Sequence, residues 1–182
     1  MAIKNDILTL LRTDVNVGYL NFQMRGFHVR WFHYQAIAGL IEKGKIKIIE
    51  GKVQAGAAAE YDDRSDTIRV PKGFKVNNLQ NKAYIIHECT HAIFDFQNMG
   101  KHDGILNEAC CYVAGIAYYA FKTLQIPPLE VSLNSMSLMY LGTAVSLGDY
   151  NLPMDEIDQA MADVKGNSLY KNVTTYGSNS NW

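Results

Sequence analysis

The segment Ala83-Tyr84-Ile85-Ile86-His87-Glu88-Cys89-Thr90-His91-Ala92-Ile93-Phe94 sets two histidines and a glutamate inside a mostly apolar run. Residues four apart share one face of an α-helix, so the rings of His87 and His91 stand one turn apart on that face. Glu88, displaced by one position, projects beside them. A helix that buries such a face must give the rings polar partners, because an unsatisfied buried polar group costs about 1–3 kcal/mol. The plain alternative is a helix with two incidental histidines, which would still leave both rings in need of such partners.

H-E-x-x-H on a helix is also the spacing of a catalytic zinc site. Two imidazole nitrogens leave zinc needing one more protein ligand and an open position, where a zinc-bound water has its pKa lowered toward about 7. Glu88 is then the expected general base on that water, passing its proton to the leaving amine. Glu108 is the expected third metal ligand. It opens a helical run with Val113, Ile116, Ala117, Ala120 and Phe121 at core spacing, and a lone carboxylate there is disfavoured unless paired or bound to metal. Tyr112, four residues beyond Glu108 on the same face, is the candidate catalytic residue for steadying the transition state. His102 and Asp103, in the turn between the two helices, offer themselves as alternative ligands, and a polar loop explains both equally well.

His87-Glu88-Cys89-Thr90-His91 followed by Asn107-Glu108 resembles the gluzincin branch of the zincin metallopeptidases, over roughly residues 57–121. The spacing also resembles that of short cytosolic zinc peptidases that cleave transcriptional repressors. The resemblance implies a zincin-like α+β fold, zinc as cofactor and hydrolysis of peptide bonds in a protein or extended-peptide substrate. By the same likeness, Thr67 to Val70 would be the edge strand against which an extended peptide pairs. The longer family pattern, Asn-Glu-x-x-Ser-Asp, needs an aspartate where this chain has Tyr112, so the usual partner of a zinc histidine must come from elsewhere. Asp95, one turn after His91, is the natural candidate, and a solvated acid near a helix end explains it equally well. The metzincin pattern fails, with Phe94 in place of its glycine and Gln97 in place of its third histidine.

The rest of the chain supplies the frame. Its 182 residues, 48% of them hydrophobic, suffice for one core, so a single domain over 1–182 with a loose tail from about 174 is expected. Residues 3–12 and 27–43 read as helices. Lys45 to Ile49, Ala57 to Tyr61 and Thr67 to Val70 read as a small antiparallel or mixed sheet beside the H-E-x-x-H helix, and about four helices follow from Leu79. The turn signals dividing those helices are Met99-Gly100, Pro127-Pro128 and Asn151-Leu152-Pro153. Val131 to Gly148 carries no charge but is diluted by Asn134, Thr143 and several serines, and reads as a buried helix rather than a membrane span.

A net charge of −1 with dispersed basic residues argues against a nucleic-acid partner. Cys89, Cys110 and Cys111 could also be zinc ligands, but they lack paired C-x-x-C spacing and read as inert core thiols in a reducing compartment. With no leader visible, a cytoplasmic location is expected, with leaderless secretion an open route. Oligomeric state is not legible. His28 and His33 belong to an aromatic packing stretch, and Asp62, Asp63 and Asp66 to a solvated turn. Two further readings stand beside the housekeeping peptidase: a regulatory or interaction module in which zinc ties two helices together without turnover, and a leaderless secreted toxin or effector protease.

Overall fold

The computed structural model describes residues 2–97, 101–123, 135–170 and 175–177. Among these the chain is α+β: six α-helices and small sheets of two and three strands. The order is α1 (Ala2–Thr13), β1 (Asn21–Met24), β2 (Phe27–Arg30), α2 (Trp31–Glu42), β3 (Lys47–Glu50), β4 (Glu60–Asp62), β5 (Thr67–Val70) and α3 (Leu79–Phe96). Then come β6 (Lys101–Asp103), α4 (Gly104–Thr123), α5 (Met136–Ser146), α6 (Met154–Gly166) and β7 (Thr175–Gly177). Short 3-10 turns at Val17–Tyr19 and Ser168–Tyr170 join their neighbours.

Helix α3 starts where a polar cap meets the apolar run. The Asn78 side chain accepts the Asn81 N–H at 2.7 Å, satisfying one of the amides that a helix start leaves open. From Ala83 to Asp95 nearly every residue is buried, which makes α3 the central helix rather than a surface one. Helix α2 is tied to it inside the core: the Thr90 hydroxyl donates to the Ile86 carbonyl and accepts from the buried Tyr34 hydroxyl, both at 2.8 Å. Phe27 of β2 stacks on Phe94 with ring centroids 3.3 Å apart.

Helix α4 lies along α3, and two glycines set how close its neighbours come. A Cβ on Gly115 would lie 3.3 Å from the Ala83 carbonyl oxygen and 3.8 Å from His87 Cβ, so the missing side chain lets the α4 backbone approach the histidine helix. Gly142 of α5 plays the same part against Ile116 of α4, where a Cβ would overlap the isoleucine side chain. Helix α4 begins at a capped position too, the Asp103 carboxylate accepting the N–H of Ile105 at 2.9 Å and of Leu106 at 3.4 Å.

The three-stranded sheet has the order β3-β5-β4, with β3 parallel and β4 antiparallel to β5. It is therefore mixed, and Thr67–Val70 is its centre, not its edge. Thr67, Ile68 and Val70 are all buried, which only a strand covered on both sides permits, whereas β4 is half-exposed throughout and forms the edge facing α3. The expected helix over 27–43 is shortened from its start: residues 27–30 form β2, paired with β1 through the two-residue Arg25-Gly26 turn. Both turn residues have positive φ, 45° and 84°, the geometry of a tight hairpin.

Within 131–148, residues 131–134 lie outside the described residues, and Met136–Ser146 form α5 with Leu138, Leu141 and Val145 buried. No helix among the described residues is long and apolar enough to cross a membrane. The turns expected at Met99-Gly100 and Pro127-Pro128 fall outside the described residues, and in the segment expected to be loose, Thr175–Gly177 pair as β7 with β6.

Candidate metal centre

Packing α4 against α3 supplies the complementary groups that the histidine face requires. The Nε2 atoms of His87 and His91 lie 3.2 Å apart. Glu108 brings Oε2 to 3.6 Å from His87 Nε2 and Oε1 to 3.7 Å from His91 Nε2. Nitrogen and oxygen donors held tetrahedrally at zinc-like bond lengths stand about 3.3 Å from one another. The Glu108 carboxylate thus faces both imidazoles, one oxygen toward each ring. The His87 side chain is 15% exposed, His91 7% and Glu108 5%, so the centre opens to solvent past His87 and is closed behind Glu108.

Cys111 and the two imidazoles form a group of their own. The Cys111 Sγ and the ligand nitrogens of His87 and His91 all lie within 4.8 Å of one another, a cluster able to hold a metal ion. The thiol follows Glu108 by three positions and so shares its face of α4. Burial pushes the Cys111 thiol well above its ordinary pKa, and the nearby Glu108 charge acts in the same direction. Cys89 and Cys110 are buried and raised for the same first reason, but lie outside the cluster; Cys110 packs on the Met24 sulfur at 3.6 Å.

The orientation of His91 is fixed from behind. Its Nδ1 stands 2.8 Å from Asn107 Oδ1. An amide oxygen accepts, so the ring proton belongs on Nδ1 and Nε2 keeps its lone pair for the cavity. Asn107, adjacent to Glu108 and buried, thus takes the role expected of Asp95. The Asp95 carboxylate instead accepts from the Tyr61 hydroxyl of β4 at 2.8 Å, with Asp66 on the other side of that hydroxyl at 3.2 Å. Asn107 was visible in the sequence as the residue preceding Glu108, but nothing in its spacing announced a bond to His91.

Glu88 is buried next to the histidines. Burial raises its pKa above 4.5, Glu108 adds to that rise, and His87, His91 and a hydrogen bond from the Tyr61 backbone oppose it. The last contact sets the carboxylate against the edge strand. His87 is also shifted upward: burial works against its protonation, but Glu108 at its side and the charge of Glu88 outweigh that.

Tyr112 lies beside His87, their rings edge to face with centroids 4.8 Å apart. Its hydroxyl is bonded to that of Tyr170 at 2.6 Å. Burial raises the pKa of both phenols, and the Glu108 and Glu88 charges add to the rise, so both rings sit within the field of the centre. Tyr170 was missed in the sequence because its 3-10 turn follows α6 and is brought over the centre only by long-range packing. Asp103 is engaged in capping α4. His102 belongs to β6, and its side chain is outside the described residues. No protein-family model, curated protein or solved structure matches the chain.

Proposed function

We propose that the chain is a zinc-dependent peptidase with a zincin-like site, holding zinc through His87, His91 and Glu108 and using Glu88 as its general base. One observation carries the reading: two imidazoles and a carboxylate from adjacent helices converge at ligand spacing, with a second buried carboxylate beside them that serves no structural cap. Zinc is the favoured ion because the donors are nitrogen and carboxylate oxygen with sulfur near, a set poorly suited to magnesium or calcium. When bound it supplies a Lewis acid for the scissile carbonyl and acidifies water.

The remaining chemistry belongs to the chain. The raised pKa of Glu88 brings its carboxylate closer to the working range of a group that takes a proton from water and returns it to the leaving amine. Asn107 keeps His91 from turning away. The Tyr112–Tyr170 hydroxyl pair provides a donor beside the centre for an oxyanion. Strand β4 is a sheet edge whose Tyr61 touches Glu88, so an extended peptide or unfolded protein segment laid along it would pass the general base. Nucleic acid and membrane are not expected partners, and three free, buried cysteines fit a cytoplasmic compartment.

A second reading has a specific observation in its favour. Cys111 is a fourth potential donor, and a metal held by four protein groups is the arrangement of a structural site. In that case zinc would staple α3 to α4 in an interaction module. The Glu88→Gln variant separates the two. A peptidase predicts unchanged zinc content and loss of hydrolysis of an unfolded protein substrate by about 10²–10⁴-fold. Zinc-loaded protein that hydrolyses nothing even when Cys111 is replaced by Ser, or a Glu88→Gln variant as active as its parent, would reject the enzyme reading.

A further inference from the structure

The two helices contribute to the centre in matched pairs. Helix α3 presents His87 and His91 at a four-residue interval, and α4 presents Glu108 and Cys111 at a three-residue interval. Both intervals place their members on one helical face, and these two faces meet. Cys111 is fully buried, so its thiol has no solvent to turn to. Its Sγ–H donates weakly to Asn107 Oδ1 at 3.4 Å, the same amide oxygen that accepts from His91 Nδ1. A single side chain thus holds a ligand histidine in its working tautomer and keeps a sulfur within 4.8 Å of both ring nitrogens.

Resting on the proposal that His87, His91 and Glu108 bind zinc, we infer that Cys111 is a fourth protein ligand, which closes the coordination sphere and holds the peptidase latent. Tetrahedral zinc with one sulfur and one nitrogen donor sets the two about 3.6 Å apart, so a short movement of Sγ from its place beside Asn107 completes the set. The step is an exchange without change of oxidation state. The Cys111 S–H bond and its hydrogen bond to Asn107 break, the sulfur takes the place of a water that the metal would otherwise hold, and the displaced water leaves past His87 with the thiol proton, as hydronium. A catalytic centre keeps one position open, whereas this one gains an open position only when the thiolate departs. Latency of this kind suits a buried protease site in a compartment full of potential substrates, because hydrolysis then waits on displacement of Cys111 rather than on metal supply.

The experiment uses the full chain loaded with one equivalent of zinc or cobalt(II). X-ray absorption at the zinc edge of the wild-type protein is expected to show one sulfur scatterer at about 2.3 Å beside nitrogen and oxygen at about 2.0–2.1 Å. The cobalt form is expected to show a near-ultraviolet sulfur-to-metal charge-transfer band, retained in Cys110→Ser and lost in Cys111→Ser. Cys111→Ser is also expected to bind zinc at least about tenfold more weakly and, at equal metal occupancy, to hydrolyse an unfolded protein severalfold faster. Stoichiometric metal with no sulfur scatterer in the wild type would overturn the inference and leave the three-ligand site standing, and the wild-type spectrum decides this even if the variant does not fold. A charge-transfer band that survives in Cys111→Ser, or a variant no faster than wild type, would overturn it as well. Failure of the wild type to take up metal at all would instead reject the site on which the inference rests.

Discussion

Asn107 Oδ1 and His91 Nδ1 meet across the α3–α4 interface at 2.8 Å, and this bond gives the centre its direction. An imidazole on a helix can rotate about two bonds and protonate on either nitrogen; an acceptor held behind it removes both freedoms. Because Asn107 precedes Glu108, one helical turn of α4 supplies both a carboxylate facing the two imidazoles and the orientation of one of those rings from α3.

Replacing Asn107 by Ala should therefore weaken metal binding without touching a ligand. Loss of a group that orients a metal-bound histidine typically costs about 10–100-fold in affinity. Competition against a chromophoric chelator measures it, and an affinity equal to wild type would mean that Asn107 only fills space.

The glycines that admit close helix packing make a graded pair. Gly142→Ala would drive a methyl group into Ile116, and the overpacking should destabilise the protein by about 1–3 kcal/mol. Greater helix propensity of alanine offsets at most about 1 kcal/mol of that. Gly115→Ala has its tightest contact at 3.3 Å, with the Ala83 carbonyl oxygen, so its cost should be the smaller one in denaturant titration. A Gly142→Ala protein as stable as wild type would show that α4 and α5 are not so closely apposed.

Acid sensitivity should arise far from the centre, at Asp14. Burial works against its ionisation, but the Tyr118 hydroxyl, the Asn16 N–H and Lys82 outweigh that and hold its pKa below 3.8. The Tyr118 and Lys82 contacts measure 2.8 Å and 3.1 Å, joining the end of α1 to α4 and α3. A depressed carboxylate pKa stabilises the fold above the unfolded-state value, and that contribution is lost as pH falls through the folded-state value. The stability gap between wild type and Asp14→Asn, followed by urea denaturation, should be full at neutral pH and narrow steadily below 3.8. A gap independent of pH would contradict the assignment.

The sequence made the helices legible where periodicity and capping agreed, as at Leu79, where α3 begins beside Asn78. The hairpin over 21–30 was masked by the aromatic run from Phe27 to Tyr34, which continues straight into α2. Its signal was present, since Phe22, Met24, Phe27 and Val29 are the buried residues on either side of Arg25-Gly26 and alternate with period two. The order of β3, β4 and β5 was not legible, because parallel pairing of segments twenty residues apart leaves no local mark. At the centre, the helical spacing of His87 and His91 and the isolated carboxylate of Glu108 pointed to one place, and the three side chains meet there. Asn107 as the partner of His91 and Tyr170 as the partner of Tyr112 were not foreseen, and Cys111, buried as a core thiol should be, lies beside the two imidazoles, because each of these relations is made with another element.

The most direct measurement is the metal content of the purified chain beside His91→Ala, by mass spectrometry after dialysis against a weak chelator. Zinc close to one equivalent in the wild type, falling to a small fraction in a folded His91→Ala protein, is the expected result. A wild type that retains no zinc, or a variant that retains as much as wild type, would contradict the convergence of α3 and α4 on a single ion.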